Sequence, residues 1–149
     1  MILEKTKLSN GKGYTMKRIV WNASVLIASI FLTSGVIMVL QMVSHYFFPM
    51  PSGIIGEIKD LETFIKLVPV SRMLFVELTY VLGSLAGGYA IGALTSSNQY
   101  IFAGILGLVM TGANVANIMN IPHPTWMIVL TMCTFIPCAL LGSYLARSR

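Results

Sequence analysis

Five side chains in this sequence could do chemistry together: His45, Glu77, Asn114, Asn117 and His123. Glu77 is the most demanding of them. It lies in Met73 to Leu94, MLFVELTYVLGSLAGGYAIGAL, a stretch with no other charge. A carboxyl group in an apolar phase is costly enough to be rare, and where it occurs it is a candidate proton carrier or ligand-binding acid. The two imidazoles could exchange protons with it, and the set His45, Glu77 and His123 has the donor types a metal ion takes. No tight ligand spacing accompanies them, so no metal is expected. The competing expectation is structural: Glu77 hydrogen-bonded to an asparagine or to Tyr80 and holding helices together, His45 in the wet interfacial zone, and His123 bracing a turn.

Other chemistry has no support. The chain contains no phosphate-binding loop, no Gly-x-Ser-x-Gly elbow, no His-Glu-x-x-His, no Cys-x-x-Cys and no haem-attachment sequence. Cys133 and Cys138 sit five positions apart inside one apolar segment, where helical geometry points them in different directions, so they are expected to be free, buried and without a redox role. No cofactor and no enzyme activity are expected. The net charge of +5 comes from basic residues that flank apolar segments, a topology signal and not a nucleic-acid surface.

The elements that must position these groups are membrane helices. Of 149 residues 56% are hydrophobic and 10% charged, and no Asp, Glu, Lys or Arg falls between Glu77 and Arg147, which excludes an ordinary soluble domain. The expected fold is all-α: a bundle of four transmembrane helices over about 19–48, 73–94, 100–119 and 125–145, since roughly 20 apolar residues cross the hydrocarbon. The first apolar region is too long for a signal-peptide core and ends in no clear cleavage site, so a first span is expected in its place. Asn22-Ala23-Ser24 matches a glycosylation triplet but lies at the basic end of that span, where a packing or interfacial role is expected.

Residues 1–17, with Lys5, Lys7, Lys12 and Lys17 around Asn10-Gly11-Lys12-Gly13, read as a flexible basic cytoplasmic tail, and residues 18–149 as one membrane domain. Met16-Lys17-Arg18 also has the form of an ordinary start, which N-terminal sequencing of the natural product would test. Pro49, Pro51 and Gly53 end the first span. Beyond them Ile54, Ile58, Leu61, Ile65 and Val68 recur at helical steps among Glu57, Lys59, Asp60, Glu62 and Lys66, the pattern of a short extracytoplasmic amphipathic helix capping the bundle.

On helical spacing Glu77, Ser84, Gly88 and Thr95 lie within about 20° of one line, so the acid shares a stripe with small residues and should face inward. Gly83 with Gly87, and Gly88 with Gly92, both fit Gly-x-x-x-Gly, a signal for close helix approach within one chain or between subunits. Gly104, Gly107, Thr111 and Asn114 form a similar face on the third span, with Asn117 beside them, and the short turn Thr95–Gln99 makes the second and third spans neighbours. These two faces are expected to pack on each other. Pro122 and Pro124 stiffen the last turn, Trp126 marks the membrane boundary, and Pro137 interrupts the fourth span. Lys and Arg gather at both termini, so both are expected in the cytoplasm. That topology brings the five polar residues to one depth near the outer leaflet.

Leu82-Gly83 through Gly87-Gly88, Asn117, the turn Ile121-Pro122-His123-Pro124-Thr125-Trp126, and His45 followed by Phe48-Pro49 and Pro51 give this chain a likeness to one membrane-protein group. It resembles small bacterial four-span membrane proteins with a Gly-Gly pair and a Pro-His-Pro-x-Trp turn. The resemblance covers most of residues 17–149 and implies a fold and a cytoplasmic-membrane location, but no activity. The expected role is therefore a non-enzymatic multi-pass protein in a lipid bilayer, self-associating or an accessory subunit of a larger assembly. The rivals are a small proton-coupled transporter using Glu77 and an intramembrane metal-binding protein or enzyme. Small multidrug transporters are similar in size but carry their acid in the first span, where this chain has none.

Overall fold

The computed structural model describes residues 2–47, 68–95, 97–120 and 124–147, with the backbone alone for 2–15 and 120. Within them the chain forms α1 (Ile2–Phe47), α2 (Val70–Leu94), α3 (Gln99–Asn120) and α4 (Thr125–Arg147), and no strand. Each helix contains a segment long and apolar enough to cross a membrane, starting at Met16 in α1. Trp21 near one end of the bundle and Trp126 near the other, both largely exposed, suit the two faces of a bilayer. The expected amphipathic helix at residues 54–68 lies almost wholly outside the described residues.

The expected boundaries differ at the helix starts. The backbone is helical from Ile2, where a flexible tail through residue 17 was expected; Leu3, Glu4, Lys5, Lys7 and Leu8 are good helix formers that outnumber the two glycines. Helix α2 starts three residues before Met73. Pro69, at φ −59° and ψ 141°, presents its carbonyl to the N–H groups of Arg72 at 3.0 Å and Met73 at 3.3 Å. Pro124 does the same for Met127 and Ile128 at the start of α4.

Between α2 and α3 the turn is tight. Thr95 leaves the helix in extended conformation, its N–H and its hydroxyl both donating to the Ile91 carbonyl. Asn98 then adopts φ 56°, a left-handed conformation that asparagine tolerates better than most residues. We expect Asn98→Val to cost about 1 kcal/mol and Asn98→Gly to be close to neutral. Thermal unfolding of the two variants in detergent checks this, and equal melting points would contradict it.

Helix α2 packs chiefly on α1 and α4, α4 packs also on α3, and α3 closes the bundle with smaller contacts to α2 and α1. Helix α2 is antiparallel to α1, since Trp21 Nε1–H donates to the Leu94 carbonyl at 2.9 Å at one end and Arg72 meets His45 at the other. Asn22 is buried and donates to the Ser97 carbonyl at 3.4 Å, the packing role its position suggested. Helices α2 and α4 run parallel, with Gly88 against Ala139 and Gly92 against Ser143, and α3 lies antiparallel to α4 with Gly107 against Ile136. Both described termini therefore emerge at one end of the bundle.

This arrangement corrects the expected pairing of the second and third spans through their small faces. Gly83 and Gly87 face Ile37, Thr33 and Ser29 of α1, with Leu106 of α3 also against Gly87, while Gly88 and Gly92 face α4. Helix α2 thus uses one Gly-x-x-x-Gly on each side, both within a single chain. The reason is reciprocity. Close approach needs small residues on both helices, and α4 offers Ala139, Gly142 and Ser143, all buried, whereas α3 turns Leu106 and Met110 inward. Gly104 has open space where a Cβ would stand. Ser84, expected among the packing residues, is buried to 1% exposure, and the apolar core comprises Val25, Ile91, Ala103, Leu106, Met110, Phe135 and Ala139.

Candidate functional site

Glu77 stands two turns into α2 and is 6% exposed, facing inward as its stripe predicts. Its partners come from α4. Thr131 Oγ1 lies 2.7 Å from one carboxyl oxygen and Thr134 Oγ1 2.5 Å from the other. Residues three apart share a helix face, so one face of α4 presents both hydroxyls to the acid. Each hydroxyl is also within reach of the carbonyl four residues back: Met127 O at 2.8 Å from Thr131 and Leu130 O at 2.9 Å from Thr134.

A threonine hydroxyl has one proton and two lone pairs, which gives this clasp two self-consistent states. With Glu77 ionised, both threonines donate to the carboxylate. With Glu77 protonated, the carboxyl donates to one threonine, whose own proton turns to its backbone carbonyl. No heavy atom has to move between them.

Beside the clasp is Tyr80, whose ring packs against Phe135 at 5.4 Å between centroids and which lines a groove together with Gln41 of α1. Thr131 and Tyr80 line a narrow crevice with Asn114 of α3. Asn114 is buried to 8% exposure, and its Nδ2 has no hydrogen-bond partner. The same asparagine borders this wider groove, of about 260 Å³ between α1 and α3. Met38 and Gln41 line it on one side, Met110 and Asn117 on the other, with Tyr80 and Phe135 as its floor.

The five expected residues are thus divided. Glu77 belongs to the clasp, and Asn114 and Asn117 to the groove. His45 is exposed at the end of α1 and accepts a hydrogen bond at Nδ1 from the Arg72 guanidinium at 3.3 Å; since arginine only donates, Nδ1 is the unprotonated ring nitrogen. His123 lies outside the described residues. Among the described residues no group of three or more His, Cys, Asp or Glu could hold a metal ion.

The sequence reading missed Thr131, Thr134, Gln41 and Arg72. A signal for the threonines was present: Thr131, Thr134, Cys138 and Gly142 recur at three- and four-residue steps down α4, with Ser143 next to the last, a small and polar stripe in an apolar span. No protein-family model, curated protein or solved structure matches this chain.

Proposed function

We propose that this chain is a non-enzymatic, multi-pass protein of a bacterial cytoplasmic membrane, acting as an accessory or self-associating subunit, with Glu77 as an internal clasp. The observation that carries the reading is that both carboxyl oxygens are held by threonines of the neighbouring helix, inside one chain. An acid so engaged joins α2 to α4. Cytoplasmic termini are supported by the charges: in the sequence Lys5, Lys7, Lys12, Lys17, Arg18, Arg147 and Arg149 flank the terminal ends of the first and last spans, against Lys59, Lys66 and Arg72 between the first and second. The likeness to small bacterial four-span proteins supports the location.

One observation favours a second reading, a proton-coupled carrier. The clasp accepts Glu77 with or without its proton, as a carrier's acid must be accepted.

Glu77→Gln separates the two. A glutamine keeps one acceptor and adds donors, so the clasp reading expects a loss of about 1 kcal/mol and no change in proton entry into vesicles loaded with a pH-sensitive dye. An unchanged melting point together with abolished proton entry would overturn the clasp in favour of the carrier.

A further inference from the structure

The α1/α3 groove is graded along its length. Toward the middle of the bundle its walls are Met38, Met110 and Phe135; toward the end where α2 begins they are Gln41, Asn114 and Asn117. One helical turn beyond Gln41 on the same face of α1 stands His45, with the Arg72 guanidinium bonded to it. Arg72 is the one cation at that end among the described residues. In order along the bundle stand the groove's apolar walls, its amides and, one turn of α1 beyond its lining, the Arg72 guanidinium on His45.

Asn114 makes this more than a crease. A buried amide donor without a partner costs about 1–3 kcal/mol. Nδ2 of Asn114 has no protein partner and is closed to solvent, while its side chain borders the groove, so an acceptor that enters deeply enough to meet it would relieve that cost. The volume, about 260 Å³, is slightly below the usual range of small-molecule pockets, from about 300 Å³. It suits a segment of chain and not a whole large ligand.

We infer that the groove between α1 and α3 binds one anionic glycerolipid. Its acyl chain lies along Met38, Met110 and Phe135, its ester oxygens reach the Asn114 amide, and its phosphate meets Arg72. Charge complementarity selects this occupant over a neutral lipid or a second copy of the chain, since a guanidinium pairs with phosphate in a bidentate, charge-assisted way. The site does not use Glu77, so it stands or falls apart from the clasp.

The test is native mass spectrometry of the full-length protein, delipidated in gentle detergent and titrated separately with phosphatidylglycerol and phosphatidylcholine. One phosphatidylglycerol per chain should be retained, about tenfold more tightly than phosphatidylcholine. Arg72→Gln should remove that preference, and Asn114→Leu should weaken both lipids about tenfold. Ala113→Trp fills the groove from an exposed position that lines it and should abolish retention. Leu141→Trp, on the exposed surface of α4, should change nothing, and melting curves verify that each variant is folded. Equal retention by the Ala113→Trp and native chains would overturn the proposal, as would no difference between the two lipids. A dimer lost on Ala113→Trp would overturn it in favour of a second copy.

Discussion

Gly88→Ala should separate α2 from α4 and cost about 3 kcal/mol, a severe effect for a single methyl group. A Cβ at Gly88 would collide with the Ala139 carbonyl oxygen and stand 2.7 Å from its carbonyl carbon and 2.8 Å from its Cα. These are backbone atoms of a packed helix, with no rotamer to change. The helices can relieve the clash only by moving apart, and that withdraws the neighbouring contacts of Gly92 with Ser143 and of Gly142 with Leu85 and Tyr89. Gly104→Ala is the matched control. It makes the same chemical change where open space awaits the methyl, so it should be neutral or gain up to about 1 kcal/mol from helix propensity. Reversible unfolding of both variants in mixed micelles measures the difference; equal stabilities would show that the α2/α4 seam is not closely packed.

That seam also shows how far the sequence reaches. The four helices were legible because apolar length is a property of each segment alone, and the direction of Glu77 was legible because helical spacing sets which residues share a face. The partner of that face was not. Two helices joined by a short turn are natural neighbours, and the small residues at Gly104 and Gly107 seemed to answer those at Gly88. The choice, however, depends on both surfaces at once. Helix α4 answers Gly88 and Gly92 with Ala139, Gly142 and Ser143, a stripe outshone in the sequence by Pro137 and the cysteines. For the same reason an asparagine or Tyr80 was expected to hold Glu77 where threonines of α4 do, and the groove, which forms where α1 and α3 meet over Tyr80 and Phe135, has no linear signature. Gly107 is a packing residue as expected, but against Ile136 of α4.

Removing the threonines should cost more than removing the acid they hold. In Glu77→Leu the hydroxyls of Thr131 and Thr134 are not stranded, because the carbonyls of Met127 and Leu130 already lie within 2.8 and 2.9 Å. The loss is then that of interhelical hydrogen bonds alone, about 1 kcal/mol. In Thr131→Val with Thr134→Val the shape of α4 is kept but Glu77, 6% exposed, faces two methyl groups. A buried carboxyl without partners bears its full desolvation cost, so the double variant should lose about 3 kcal/mol or more. Combining all three changes replaces acid and hydroxyls by apolar groups of similar size. Nothing polar is left unpaired, and stability should return to within about 1 kcal/mol of the parent, a coupling of about 3–4 kcal/mol between the two sides of the clasp. Equilibrium unfolding of the four proteins gives the cycle. Additive losses in the triple variant would mean that Glu77 and the two threonines do not interact; recovery of the fold together with loss of proton entry would show that the acid carries a proton as well as joining the helices.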